Sequence, residues 1–274
     1  MNVAEALQTG TDTLANAGVE TPRVDAEWLM SYVLNCPRPE LVLRHEEVLT
    51  EALQSQWGGL MARRATRIPL QHLLGSVEFC GLMFEVNENV LIPRPETELL
   101  AEGAWQFANV IESPVILDVG TGSGCLAIAI AVNCSQAEVH ALDVSPQALA
   151  VARANAERHQ VHECIIFHEA DGREELPSET RFDLIVSNPP YIPTAEIPKL
   201  QAEVHEHDPH LALDGGSDGL DFYRALSTHA LERLRPAGRM MLEIGDGQAE
   251  AVSALLVAAG WRVLEVFPDL NNVQ

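Results

Sequence analysis

An asparagine, two prolines and a tyrosine, Asn188-Pro189-Pro190-Tyr191, follow the apolar run Phe182-Asp-Leu-Ile-Val186 and Ser187. Adjacent prolines cannot donate to a sheet ladder and hold φ near one value, so they end a strand and stiffen the loop beyond it. One reading is a plain strand-ending turn, since Asn-Pro starts turns. The other is a recognition loop for a planar NH2 group. The nitrogen of an amide or exocyclic amine is a poor nucleophile because its lone pair is delocalised. The Asn188 side-chain carbonyl and the Pro189 backbone carbonyl can each accept one N–H and so aim that lone pair. Proline has no competing N–H, and its fixed φ preorganises the acceptor. Tyr191 can stack on the flat face of the group. Such a loop suits N-methylation, which needs no strong base before attack because the proton becomes acidic once nitrogen carries the methyl.

A methyl donor needs its own site, and a glycine loop offers one. Asp118-Val-Gly120-Thr121-Gly122-Ser123-Gly124 lies between an apolar strand and the apolar helix from Cys125 to Val132. Glycines allow tight turning and close approach of backbone to ligand. A tight strand-to-helix turn explains them too. The spacing is not the Gly-x-Gly-x-x-Gly of dinucleotide sites, and Asp118 stands where a pyrophosphate would be repelled. A sulfonium ligand with an ammonium group is welcome there, which favours S-adenosyl-L-methionine. Asp143 ends the next strand and can accept from both ribose hydroxyls, although it also precedes the helix start Ser145-Pro146. Asp171, before Gly172, is placed to meet an adenine amino group. The ligand reading takes the three acids as lying in register after successive strands.

The elements that must position these residues are legible as periodicities. From about residue 99, apolar runs at 115–118, 138–143, 164–169, 182–187, 239–244 and 262–266 alternate with helical stretches such as 147–158 and 249–259. That alternation predicts an α/β fold with a doubly wound, mainly parallel sheet, whose ligands bind beyond the carboxyl ends of the strands. Residues 1–75 have helical spacing and predict a small bundle, with Thr21-Pro22 and Thr50 as helix starts. Residues 76–90 lose that period and predict a β-hairpin around Gly81. A proline-punctuated linker through Glu98 then leads to a domain of residues 99–274.

Composition narrows the function classes. The 274 residues carry a net charge of −23, which argues against a nucleic-acid partner. Five scattered cysteines without a CxxC pair suit a reducing cytoplasm. No signal peptide or membrane-spanning run is evident. His205-Glu-His-Asp-Pro-His210 has metal-ligand residue types but no second ligand cluster, so a solvated loop is expected and no metal. Cys125 opens an apolar helix and reads as a core residue.

Over nearly its whole length the chain resembles the release-factor glutamine methyltransferase (HemK/PrmC) family. The glycine loop and Asn-Pro-Pro-Tyr are shared with other amino-methyltransferases. More specific are Gln71-His-Leu-Leu-Gly75 with Glu78-Phe79, Leu91 to Glu98, Leu211-Ala-Leu-Asp-Gly-Gly216 with Asp218-Gly-Leu220, and Leu242-Glu-Ile-Gly245. The resemblance implies a class I S-adenosylmethionine-dependent methyltransferase, Rossmann-like, with an N-terminal helical domain that docks class I peptide-chain release factors. It implies the glutamine of their Gly-Gly-Gln loop as substrate. Gly120, Thr121, Gly122, Ser123, Gly124, Asp143, Asp171, Gly172 and Asn188 match the family's cofactor positions, and Asn188, Pro189, Pro190 and Tyr191 its glutamine-binding loop. Three departures stand out. Gly172 replaces a larger side chain over the adenine, which predicts a more open wall. His207-Asp-Pro209 stands where Glu-Pro is usual, and the end at Asn271-Asn-Val-Gln274 precedes the family's last antiparallel strand. A nucleic-acid adenine N6-methyltransferase would use the same loop on a flipped base, and a non-catalytic cofactor-binding protein could keep the same fold.

Overall fold

The computed structural model describes residues 1–268. The chain divides into two compact units, one of residues 1–76 with 201–207, the other of residues 77–200 with 208 onward.

The first unit is helical: α1 (Val3–Asn16), α2 (Pro22–Leu34), α3 (Glu51–Ala65), α4 (Leu70–Leu74) and, from the later segment, α8 (Ala202–His205). Asn2 and Glu5 close a reciprocal capping box on α1, and the Thr50 hydroxyl accepts from Leu53 N at the start of α3. Thr21 stands before the proline that opens α2, but its hydroxyl donates to Asp25 Oδ1 at 2.8 Å instead of capping a backbone N–H. A buried carboxylate one turn away is the stronger acceptor partner for that proton. The core packs Leu7, Leu14, Leu29, Met30, Trp57 and Met61.

The second unit opens with the hairpin of β1 (Ser76–Phe79) and β2 (Leu82–Glu85). Cys80 and Gly81 turn it with φ of +51° and +73°, the left-handed pair that matches strand twist in a two-residue loop. Helix α5 (Thr97–Ala108) comes next, then β3 (Val115–Val119), α6 (Cys125–Asn133), β4 (Glu138–Asp143), α7 (Pro146–Arg158), β5 (Ile165–Glu169), β6 (Phe182–Ser187), α9 (Asp221–His229), β7 (Leu234–Leu242) and α10 (Ala249–Ala258). The strands form one parallel sheet in the order β5-β4-β3-β6-β7. The chain starts in the middle, builds outward to β5 and then crosses to the other side of β3. The crevice at that reversal lies beyond the carboxyl ends of β3 and β6.

Alternation along the strands sorts the core into two layers. Ile116, Val139, Ala141, Leu184 and Val186 pack with alanines of α5 and the body of α6. Leu117, Val119, Leu142 and Ile185 pack with Leu226 of α9 and Ala230. Helix α6 is apolar all round because residues 126–131 are all buried.

The stretch 262–266, expected as a strand, is not one: among the described residues its backbone joins no ladder, and Leu264, Val266 and Phe267 are exposed. An apolar run makes a strand only where a sheet edge accepts it. The chain end at 271–274, with the question of a last strand, lies outside the described residues. Among those described, no helix is long and apolar enough to cross a membrane.

Candidate active site

The glycine loop is tied to the end of β4 by backbone bonds. Gly120 N and Thr121 N both donate to Leu142 O, at 2.8 and 2.9 Å. Gly122 N donates to Asp143 Oδ2 at 2.8 Å, and Ser145 N to Asp143 Oδ1 at 2.9 Å. Gly124 combines a φ of +81° with a site where a Cβ would lie 2.9 Å from Ile128 Cδ1 and 3.1 Å from Ala152 Cβ, so a side chain there would force α7 away. Ser123 is buried, and its carbonyl accepts from Asn155 Nδ2 at 2.9 Å. Asn155 also exchanges two bonds with the Glu85 backbone, so one buried amide joins hairpin, α7 and loop.

The acids do not lie in one row. Asp118 is level with Ala141, two residues short of Asp143, and Asp143 is level with Glu169, two short of Asp171. Each acid therefore stands further out than the last. Asp118 is 0% exposed; its Oδ2 accepts from Thr121 Oγ1 at 2.7 Å and Ala127 N at 3.2 Å, while Oδ1 has no partner among the described residues. Burial pushes its carboxyl up to about 7. The side chain braces the loop from beneath, and the period of two along β3 dictates that orientation. Burial also raises Asp143, against the pull of its backbone donors. Asp171 is held low by Arg173, which grips both of its oxygens, with 2.7 Å to Oδ2. Gly172 is buried, and a Cβ on it would lie 2.5 Å from Val119 Cγ1. A side chain has no room in that direction, because the sheet itself fills the space.

Asn188 directly succeeds β6. Its Nδ2 donates to Thr97 Oγ1 at 3.0 Å, and the Glu243 carboxyl lies beside both Thr97 and Asn188. Burial raises Glu243. Among the described residues no donor is bonded to Asn188 Oδ1 or to the Pro189 carbonyl. Pro189 is buried, Pro190 and Tyr191 half-buried. Burial pushes the Tyr191 phenol up to about 12, so it stays neutral.

Sequence reasoning missed what braces this loop. Ile192 N donates to Leu213 O at 3.0 Å and Gly215 N to Ile192 O at 2.9 Å. Gln248 Nε2 holds the Tyr191 carbonyl at 2.9 Å, and its Oε1 takes Gly245 N at 3.0 Å. A Cβ on Gly215 would lie 2.8 Å from Tyr191 Cα, and one on Gly245 2.9 Å from Tyr191 Cδ2. The signal was present: Thr97, Gly215, Glu243 and Gly245 all lie in the family-specific segments 91–98, 211–216 and 242–245. Elsewhere, Asp208 pairs with Arg94 at 2.8 Å, and burial pushes the Cys125 thiol up to about 12, which leaves it un-ionised.

Two family models match. Residues 5–75 match the PrmC N-terminal domain and residues 97–217 the methyltransferase small domain. Curated relatives named release factor glutamine methyltransferase align over almost the entire chain. The one from Geobacter sulfurreducens is 47% identical, over 95% of this chain and 90% of its own length. Those from Moorella thermoacetica and Deinococcus radiodurans are each 42% identical, covering 98% and 99% of this chain and 95% and 96% of their own.

Proposed function

Because the chain belongs to the release factor glutamine methyltransferase family, we propose that it methylates the side-chain amide nitrogen of the Gly-Gly-Gln glutamine in class I peptide-chain release factors, with S-adenosyl-L-methionine as donor. The observation that carries this reading is the pair of open acceptors at the end of β6, Asn188 Oδ1 and the Pro189 carbonyl. A glutamine NH2 offers two N–H groups to match them.

The residues present fit the cofactor. Gly120 and Gly122 leave open space where a Cβ would stand, so backbone can meet the ligand. The Asp143 carboxyl, bonded to Gly122 N beside the loop, suits a cationic ligand better than a pyrophosphate. Gly120 to Gly124 with Asp143 would hold its amino-acid and ribose parts, and Asp171 with Gly172 would border its adenine. When bound, it supplies an electrophilic methyl group.

The chain's own part is orientation. Asn188 and Pro189 take the two N–H bonds and turn the nitrogen lone pair toward the incoming carbon, while Tyr191 lies against the amide plane. Pro190 keeps the loop from relaxing. The nitrogen so aimed would take the methyl, and its acidified N–H proton would leave to solvent. The helical unit of residues 1–75 is the docking surface in this reading, supported by the exposed Trp28 and Tyr32 on α2. The reading implies a cytoplasmic enzyme with a protein partner.

The test incubates the enzyme with methyl-labelled cofactor and a release factor, wild type or with the loop glutamine replaced. Label is expected on the wild-type factor alone. Label that persists without the glutamine overturns the substrate, and salt-sensitive labelling of DNA or RNA points to adenine instead. Asn188→Ala is expected to lower turnover roughly 100-fold or more, as for loss of an oriented hydrogen-bond partner in the transition state, with cofactor affinity largely kept.

A further inference from the structure

An asparagine side chain has two nearly isosteric ends with opposite hydrogen-bonding character. If Nδ2 faced the acceptor site, Asn188 would present donors to an incoming NH2 and repel it. What sets the direction is behind the residue. Glu243 is next to it because Glu243 N donates to Ser187 O at 3.0 Å, which carries the β6–β7 pairing one residue past Leu242. The Tyr223 hydroxyl, on a side chain that is fully buried, fixes the Glu243 carbonyl at 3.0 Å. Thr97 is the first residue of α5 and only 2% exposed.

Hydrogen-bond polarity then runs one way. A hydroxyl donates one proton and accepts elsewhere, and the Glu243 carboxyl lies beside Thr97 as an acceptor for that proton. The remaining Thr97 lone pairs can only accept, and they take Asn188 Nδ2 at 3.0 Å. Oδ1 is thereby left facing outward.

We propose that Thr97, polarised by Glu243, is the positioning residue that locks the Asn188 amide with its carbonyl toward the acceptor nitrogen, and so sets the site to take an NH2 group. Neither side chain touches the reacting atoms; both act through Asn188. The inference rests on the methyl-transfer reading for its kinetic arm only.

Thr97→Val keeps the shape of the side chain and removes the hydroxyl, and Thr97→Ser restores it. In labelled protein the Asn188 side-chain NH2 resonances are identified by their loss in Asn188→Ala. Their hydrogens are expected to exchange roughly 10-fold faster or more in Thr97→Val than in wild type, the loss of one buried hydrogen bond, with Thr97→Ser close to wild type. For methylation of a release factor, Thr97→Val is expected to lower kcat roughly 10–100-fold at unchanged cofactor affinity, and Thr97→Ser to stay within about threefold of wild type. Thr97→Ala serves if the valine variant does not fold. Exchange and kcat in Thr97→Val equal to wild type overturn the lock. A serine variant as impaired as the valine variant overturns it too, since packing and not the hydroxyl would then be at stake. Wild-type enzyme that labels no release factor overturns the substrate reading alone, and the amide exchange then decides the lock by itself.

Discussion

Each compact unit buries carboxylates: arginine answers those of the helical unit and Asp208 of the sheet unit, but not three others of the sheet unit. In the helical unit Asp25 and Glu203 share Arg64, at 2.7 and 2.8 Å, and Arg67 Nε adds a second bond to Glu203 at 2.7 Å. Burial alone would raise Glu203, but hydrogen bonds from Arg67 and Arg64 outweigh it and hold the carboxyl at about 2. In the sheet unit Asp118 and Asp143 are braced by hydroxyl and backbone donors, among the described residues no arginine is bonded to them or to Glu243, and all three are raised. An acid matched by a guanidinium has its charge answered within the fold. An acid buried without one is pushed toward its neutral form, and groups perturbed in this way collect where ligands bind.

The largest effect that would sharpen this contrast is Arg64→Met. It leaves Asp25 and Glu203 buried with their shared cation gone, and the expected cost is about 3–5 kcal/mol, read as a fall in the denaturant midpoint. A loss within error of zero would make the network ornamental and break the comparison. Asp118→Asn comes next, and its sign is opposite. The wild-type carboxyl is raised in the fold, so its contribution is present below the unfolded value and lost as pH climbs through about 7. Without cofactor, wild-type stability is expected to fall between pH 5 and 8 by about 3 kcal/mol more than that of Asp118→Asn. Parallel pH profiles would place the charge of Asp118 in water after all. Smallest is the acid response of Glu203. Its lowered carboxyl contributes above the ordinary glutamate range, and that contribution is lost as pH falls toward about 2. The pair is partly solvated, so screening limits it to about 1 kcal/mol. Hydrogen exchange in α3 peptides should quicken on acidification in wild type and less so in Glu203→Gln.

How much of this was legible varies with range. The strands 138–143 and 182–187 were readable as apolar runs with turn signals at their ends, because a parallel strand buried on both faces needs nothing else. Asn188 to Tyr191 was readable as a loop with open acceptors because proline fixes its own backbone. The hairpin turn was readable from Gly81. The direction of Asp118 was not read correctly, since its position beside the glycines suggested a ligand contact while the strand period turns it inward. Gln201–His207 gave no sign of belonging with the helices: one glutamate, Glu203, finding two arginines more than a hundred residues earlier, is a contact without local trace. The stretch 262–266 erred the other way, because apolar residues alone do not supply a pairing edge.

The amino-acid sequence by itself determined the class of the fold, the glycine loop, the proline-stiffened loop after β6 and the family, since each is written in residue types at short spacing. Only the tertiary structure decided which way each polar group faces. The stagger of the acids comes from sheet register, the filled space at Gly172 from Val119, and the bond from Asn188 to Thr97 from the start of α5. Hydrogen-bond polarity is a property of contacts, and contacts between distant segments exist only once the chain has closed on itself.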